Sequence, residues 1–135
     1  MEHMGEAVIK IIAMPTDTNP AGNIFGGWIL SQIDLAGTVA AREFAPERVV
    51  TISMKEVVFK QPVFVGDLVT CHATVTKIGN TSITVLVNVT AERYCKESRS
   101  RICQHVTSAE VTYVAVDSEG KKLIIDPELK KLKGF

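Results

Sequence analysis

A single helical pattern, from about Phe25 to Phe44, stands between one short strand pattern and a run of longer ones. Pro46 stops it, because proline cannot continue a helix and restrains the residue before it. Ala7 to Met14 is the strand pattern ahead of it. Val49 to Lys60, Leu68 to Ile78, Ile83 to Ala91 and Cys103 to Val116 follow it. Strands and helices do not alternate as they do in a doubly wound sheet, so the class is α+β. An antiparallel sheet can bury one face, and one helix can lie across that face.

The turns agree with this order. Pro15 to Asn23 is a loop of Pro, Asp, Thr, Asn and Gly. Pro62 and Gly66-Asp67 separate the second strand from the third, and Gly79-Asn80 turns the third back into the fourth. In the fourth, Ile83, Val85, Val87, Val89 and Ala91 alternate with Ser82, Thr84, Asn88 and Thr90, broken only by Leu86. That period of two marks a half-buried strand. Arg93 to Arg101 is charged and reads as a loop or a twisted edge. Asp117 to Gly120 is a turn, and Pro127 to Lys133 forms a short terminal helix.

With 135 residues and 46% hydrophobic content, residues 1–135 make one folded domain and not a disordered chain. Fifteen basic residues balance fifteen acidic ones, which argues against bulk binding to nucleic acid or a membrane surface. No run approaches the roughly 18 apolar residues of a membrane span. Glu2, Glu6 and Lys10 argue against a secretory signal. Cys71, Cys95 and Cys103 are odd in number and unpatterned, as expected of reduced thiols in a cytoplasm. Cys103 and His105 would share a strand face, but two ligands do not make a zinc site, so no metal is expected.

Stepping about 100° per residue, the helix has two apolar faces. Ile29, Ile33, Ala40, Phe44, Gly37, Leu30 and Ala41 form a broad arc, with Asp34 at its margin. Trp28, Leu35 and Val39 form a second stripe nearly opposite, while Gln32 and Glu43 fall with the polar residues. The sheet covers one face. The other needs a second subunit, or a loop or tail.

Residues 19 to 34 concentrate the candidate chemistry. Helix starts present unpaired N–H groups that can hold negative charge, and Gly26-Gly27 leaves that backbone bare. Asp34 lies two turns further on and can serve as base or nucleophile. The amide of Asn19 can donate to an oxyanion or orient a water. Each has a plain reading too: a solvated helix acid, a flexible helix start, an Asn-Pro turn. The run Arg93, Lys96, Arg99, Arg101 reads as a solvated loop or a phosphate contact, with Glu92 and Glu97 diluting its charge.

The segment Met14-Pro-Thr-Asp-Thr-Asn19-Pro-Ala-Gly22-Asn-Ile-Phe25-Gly26-Gly27-Trp-Ile-Leu-Ser-Gln-Ile-Asp34 resembles the signature of hotdog-fold acyl-CoA thioesterases, and more narrowly the small bacterial YciA-like group. The likeness continues through Arg48 to Thr51, Phe59 to Asp67, Gly79 to Ser82 and Thr112 to Asp117. It implies a long helix wrapped by an antiparallel sheet, and a homodimer joined edge to edge, often assembled into a trimer of dimers. It implies acyl-CoA as substrate, hydrolysed to free acid and CoA, so that CoA is part of substrate and product and no cofactor is required. The family's helix acid falls on Asp34 and its loop Asn on Asn19, the two meeting across a subunit interface. Gly79, Asn80, Thr81, Ser82 and Arg93 are the expected CoA contacts, although Asn80 stands where relatives often carry Arg.

The resemblance leaves two other activities to weigh. A non-catalytic acyl-CoA sensor on the same fold needs an output module, for which a chain of this length has no room. A hotdog dehydratase or hydratase relies on a His in the site, and the helix segment has none, since His3, His72 and His105 lie elsewhere.

Overall fold

The computed structural model describes residues 4–135, which leaves His3 and Glu2 outside the described residues. Strand β1 (Glu6–Ile12) leads through a 3-10 turn, Pro15–Asp17, to helix α1 (Gly26–Ala41). Strands β2 (Arg48–Lys55), β3 (Leu68–Ile78), β4 (Ser82–Cys95) and β5 (Ser100–Val116) follow, and helix α2 (Pro127–Leu132) comes last. The five strands form one sheet in the order β1-β3-β4-β5-β2, antiparallel at every pairing.

Helix α1 lies across the middle of this sheet, over β3 and β4. The alternation in β4 sets that contact. Ile83, Val85, Val87, Val89 and Ala91 are all at most 1% exposed and point at the helix. Each such aliphatic side chain contributes roughly 1.5–3 kcal/mol on burial. Val69 and Cys71 of β3 and Val111 and Tyr113 of β5 extend the same layer, with Ile29, Ile33, Ala36 and Ala41 facing them from the helix.

Several elements differ in extent from the sequence reading, each for a visible reason. The helix ends at Ala41 and its last turn tightens into a 3-10 turn, Arg42–Phe44, which buries Phe44 ahead of Pro46. Gln32 is buried at 8% exposure instead of lying on a polar face. β2 stops at Lys55 because Glu56 takes a left-handed conformation, φ 59°. Residues beyond it leave the ladder but stay tied to β5, where Lys60 N–H donates to Val106 and the Thr107 hydroxyl donates to Val58. The charged segment Arg93–Arg101 is the tip of the β4–β5 hairpin: Arg93 pairs with Ile102 and Cys95 with Ser100.

The C-terminal arm closes one end of the sheet. Leu123 N–H donates to Ala115, Ile125 N–H donates to Asn80, and Ile125 is 2% exposed.

Candidate active site

Asp34 sits on the flank of α1 that overhangs β5 and β2, and it is half-buried. The Thr51 hydroxyl of β2 donates to its Oδ1 at 2.6 Å. Oδ2 takes no hydrogen bond from any described residue. The Asp34 backbone carbonyl accepts from the Thr38 hydroxyl at 2.8 Å and from the Tyr113 hydroxyl at 2.7 Å. Thr51 and Tyr113 are themselves directly opposed across β2 and β5. One rung of the sheet therefore holds both the side chain and the backbone of Asp34. An anchored carboxylate with one free oxygen is equipped to accept a proton or to attack an electrophile.

The start of α1 is uncapped by any side chain. The N–H groups of Gly26, Gly27 and Trp28 precede the first possible intrahelical partner, and Ile29 N–H is the first to bond back, to Phe25. Neither Gly26 nor Gly27 is among the glycines with positive φ. Conformational freedom therefore does not explain them. A Cβ on Gly27 would meet nothing within 4 Å, so the missing side chains leave bare backbone open to an approaching group.

Asn19 organises the loop ahead of this helix start. Its Oδ1 accepts from Ala21 N–H at 3.0 Å and from Asn23 N–H at 3.1 Å, and its own N–H donates to Asn23. The acceptor end of the carboxamide is thus engaged, and the Nδ2 donor end bonds to no described residue. Asn19, Gly26, Ile24, Ile29, Phe59 and Val63 line a cavity of about 240 Å³. Of three larger hollows, those of about 380 and 440 Å³ lie around Phe44 and contain none of the candidate residues, and one of about 310 Å³ at the β4–β5 tip includes Arg93.

The structure brings Asn19 to Gly26, but not to Asp34, which is absent from that cavity's walls. Eight residues of helix separate Gly26 from Asp34, about 12 Å along the axis. The other candidates divide in the same way. The Gly79–Ser82 turn lies at the end of the sheet nearest Asp34, since Ile83 pairs with Tyr113. It is held there by Gly79 N–H donating to Ser82, by Ala115 N–H donating to Thr81 and by Lys130 Nζ donating to Gly79 at 3.1 Å. Arg93 is at the far end of β4, roughly 35 Å along the strand.

Arg93 is not a free cation. Its guanidinium grips Asp67 with Nε–Oδ1 at 2.9 Å and a second nitrogen on Oδ2 at 2.6 Å, donates to the Pro62 carbonyl, and lies 4.7 Å over the Phe64 ring. The Asp67 hydrogen bond raises the Arg93 pKa further. This pair fastens the Pro62–Asp67 loop, whose Val63 carbonyl receives Ile24 N–H beside the Asn19 cavity.

Thr51 joins the candidate site through its contact with Asp34, and no local pattern marks it. A β2–β5 irregularity between Thr51 and Ser53 disturbs the alternation that would have marked it as inward-facing. His105 titrates lower than usual, through burial and the nearby Lys60. It bonds Ser108 and lies outside the Asp34 cluster. Among the described residues no group of three or more His, Cys, Asp or Glu is placed to hold a metal ion, and no helix is long and apolar enough to cross a membrane.

Comparison with known proteins gives consistent matches to a family model, to named relatives and to solved structures. The Thioesterase superfamily model matches residues 21–95. The acyl-CoA thioester hydrolase YciA of Salmonella typhimurium is 44% identical over 117 residues, 87% of this chain and 87% of that protein. Two solved structures superpose over most of their length. A hexameric hotdog fold thioesterase of Campylobacter jejuni has TM-score 0.94 and 62% identity, covering 99% of this chain and 100% of that one. A hexameric thioesterase from Yersinia pestis has TM-score 0.80 and 43% identity, covering 90% and 96%.

Proposed function

This chain belongs to the hotdog-fold thioesterase superfamily and is an acyl-CoA thioesterase, and from that premise we propose how its residues hydrolyse the thioester. The observation that carries the reading is the half-buried Asp34 carboxylate, held on one oxygen by Thr51 and free on the other. A water attacks the thioester carbonyl carbon while Asp34 takes its proton. The carbonyl oxygen becomes an oxyanion facing the N–H groups of Gly26 and Gly27, where the helix dipole also favours negative charge. Asn19 Nδ2 donates to the same oxygen or to the water. The C–S bond then breaks, the CoA sulfur leaves with the proton held on Asp34, and the free acid departs. Direct attack by the free Asp34 oxygen, through a mixed anhydride, uses the same geometry. Label in the enzyme's carboxylate after one turnover in ¹⁸O-water identifies the anhydride route, with water attacking the aspartyl carbon of the anhydride.

One chain does not assemble this centre, because Gly26 and Asp34 are about 12 Å apart on one helix. The protein is an oligomer, like the hexamers it resembles. Our finer reading is a two-fold homodimer, three of which make the hexamer. Each site takes Asp34, Thr51 and the Gly79–Ser82 turn from one subunit, and Asn19 with Gly26-Gly27 from the other. Two features support this. Trp28 of the second helix stripe is half-buried against the core, but Leu35 at 56% and Val39 at 37% exposure are uncovered, and β2 is an edge strand with Val50 at 39% and Ile52 at 59%. We also assign the CoA moiety to the Gly79–Ser82 turn beside Lys130, and the protein to the cytoplasm, where its three free cysteines would stay reduced.

The test is thiol release from acyl-CoA. The wild-type protein frees CoA, and Asp34→Asn lowers kcat at least about a hundredfold in a protein that still folds, the scale of a lost general base. Near-wild-type turnover by the folded variant contradicts the assignment.

A further inference from the structure

We propose that Tyr113 is a positioning residue for catalysis, setting the place of Asp34 over the sheet through the helix backbone and not through substrate. This rests on the reading of Asp34 given above. Tyr113 is 0% exposed, yet it carries a hydroxyl. That hydroxyl finds its partner on the Asp34 carbonyl at 2.7 Å. A helix carbonyl in this position already receives the N–H four residues on, so the bond is additional to the helix ladder. The Thr38 hydroxyl supplies a further one at 2.8 Å. Two side-chain hydroxyls on one carbonyl draw the helix toward them at this residue.

Gly37 is the second half of the device. A Cβ there would overlap the Tyr113 hydroxyl and two of its ring carbons. Gly37 has no positive φ that would otherwise call for glycine. Glycine within a helix costs about 1 kcal/mol relative to alanine, and here it creates the notch that admits the phenol. Burial pushes the Tyr113 phenol up, so it is a proton donor at neutral pH. The same sheet rung carries Thr51, which holds the carboxylate of Asp34. Backbone and side chain of one acid are therefore referenced to one pair of opposed residues. Small displacements of a reacting group are costly, with about 1 Å able to remove a hundredfold in rate.

The experiment is Tyr113→Phe, measured alone and on the Asp34→Asn background, with butyryl-CoA as the probe. The Asp34 carbonyl keeps both Thr38 donors, so the variant leaves no orphan acceptor and the fold is retained. The expected result is a kcat lowered about tenfold with KM within twofold. On the Asp34→Asn background, Tyr113→Phe should cause no further loss of residual turnover, because it acts through that acid. Gly37→Ala, which keeps the hydroxyl but displaces it, should show the same kcat loss and the same dependence on Asp34. It serves as the deciding variant if Tyr113→Phe is poorly folded. Wild-type kcat in folded Tyr113→Phe overturns the proposal, as does an equal loss in both backgrounds, which would mark a merely structural role. Near-wild-type turnover by Asp34→Asn alone would instead overturn the assignment of the base.

Discussion

At the scale of single residues, Asn19 shows how one side chain divides its labour. Its carbonyl oxygen accepts from Ala21 and Asn23 and shapes the loop, and its amide nitrogen is left to donate. The two jobs separate by substitution. Asn19→Asp keeps an acceptor for the loop but loses the donor, so it should retain the wild-type melting temperature and lose at least about tenfold in kcat. Asn19→Ala should lose both activity and some stability. Equal activity of Asn19→Asp and wild type would remove the donor from the mechanism. Cys71 makes a contrasting case. Burial pushes its thiol up to about 12, so the thiolate is scarce at neutral pH. A thiol reagent should therefore label Cys103 and Cys95 in the native protein, and Cys71 only after unfolding. Rapid labelling of Cys71 would show that the core opens on the assay timescale. Asp34 and Asn19 were legible because a polar residue at a helix margin and an Asn-Pro turn stand out locally. Thr51 was not, because its meaning depends on a strand irregularity and on a contact 17 residues away.

At the scale of elements, periodicity located α1 and the strands well, and it failed where a long β-branched run continued past a break in the strand. The segment Arg93–Arg101 reads as a loop or a twisted edge, and it is both: β4 and β5 pair as far as Cys95 and Ser100, and Lys96 to Arg101 lie exposed at the tip. Val49–Lys60 reads as one strand, but the left-handed Glu56 breaks it. What no local pattern reveals is the clamp between Asp67 and Arg93, residues 26 apart in sequence. Asp67 is 2% exposed and also accepts from Phe64 N–H at 2.9 Å. Removing one partner of a buried pair leaves the other charge uncompensated, so Asp67→Ala should cost about 3 kcal/mol. Denaturant unfolding measures this, with a lower midpoint at unchanged slope. A midpoint equal to wild type would mean the Pro62–Asp67 loop is held by other contacts. The clamp also bears on function, since that loop walls the cavity containing Asn19 and Gly26. Arg93 was singled out for its charge, and its contacts are those of a loop fastener.

At the scale of the whole molecule, the candidate residues divide between the two ends of the sheet. One carries Asp34, Thr51 and the Gly79–Ser82 turn. The other carries Asn19 and the bare start of α1. A two-fold axis beside β2 would bring unlike ends together twice, which is why a dimer holds two equivalent composite sites. The two-faced helix made a partner legible in sequence, whereas the split of the candidates between the ends needed the strand register. The most direct measurement is complementation between Asn19→Ala and Asp34→Asn, each nearly inactive alone. The two are co-expressed with different tags and the mixed species purified. In a mixed dimer one site carries both lesions and the other carries none, and a hexamer captured through both tags holds matched as well as mixed dimers, so activity should return to at most half of the wild-type sites. In an unfractionated random mixture about a quarter should return. A mixed dimer no more active than either parent would contradict the shared site.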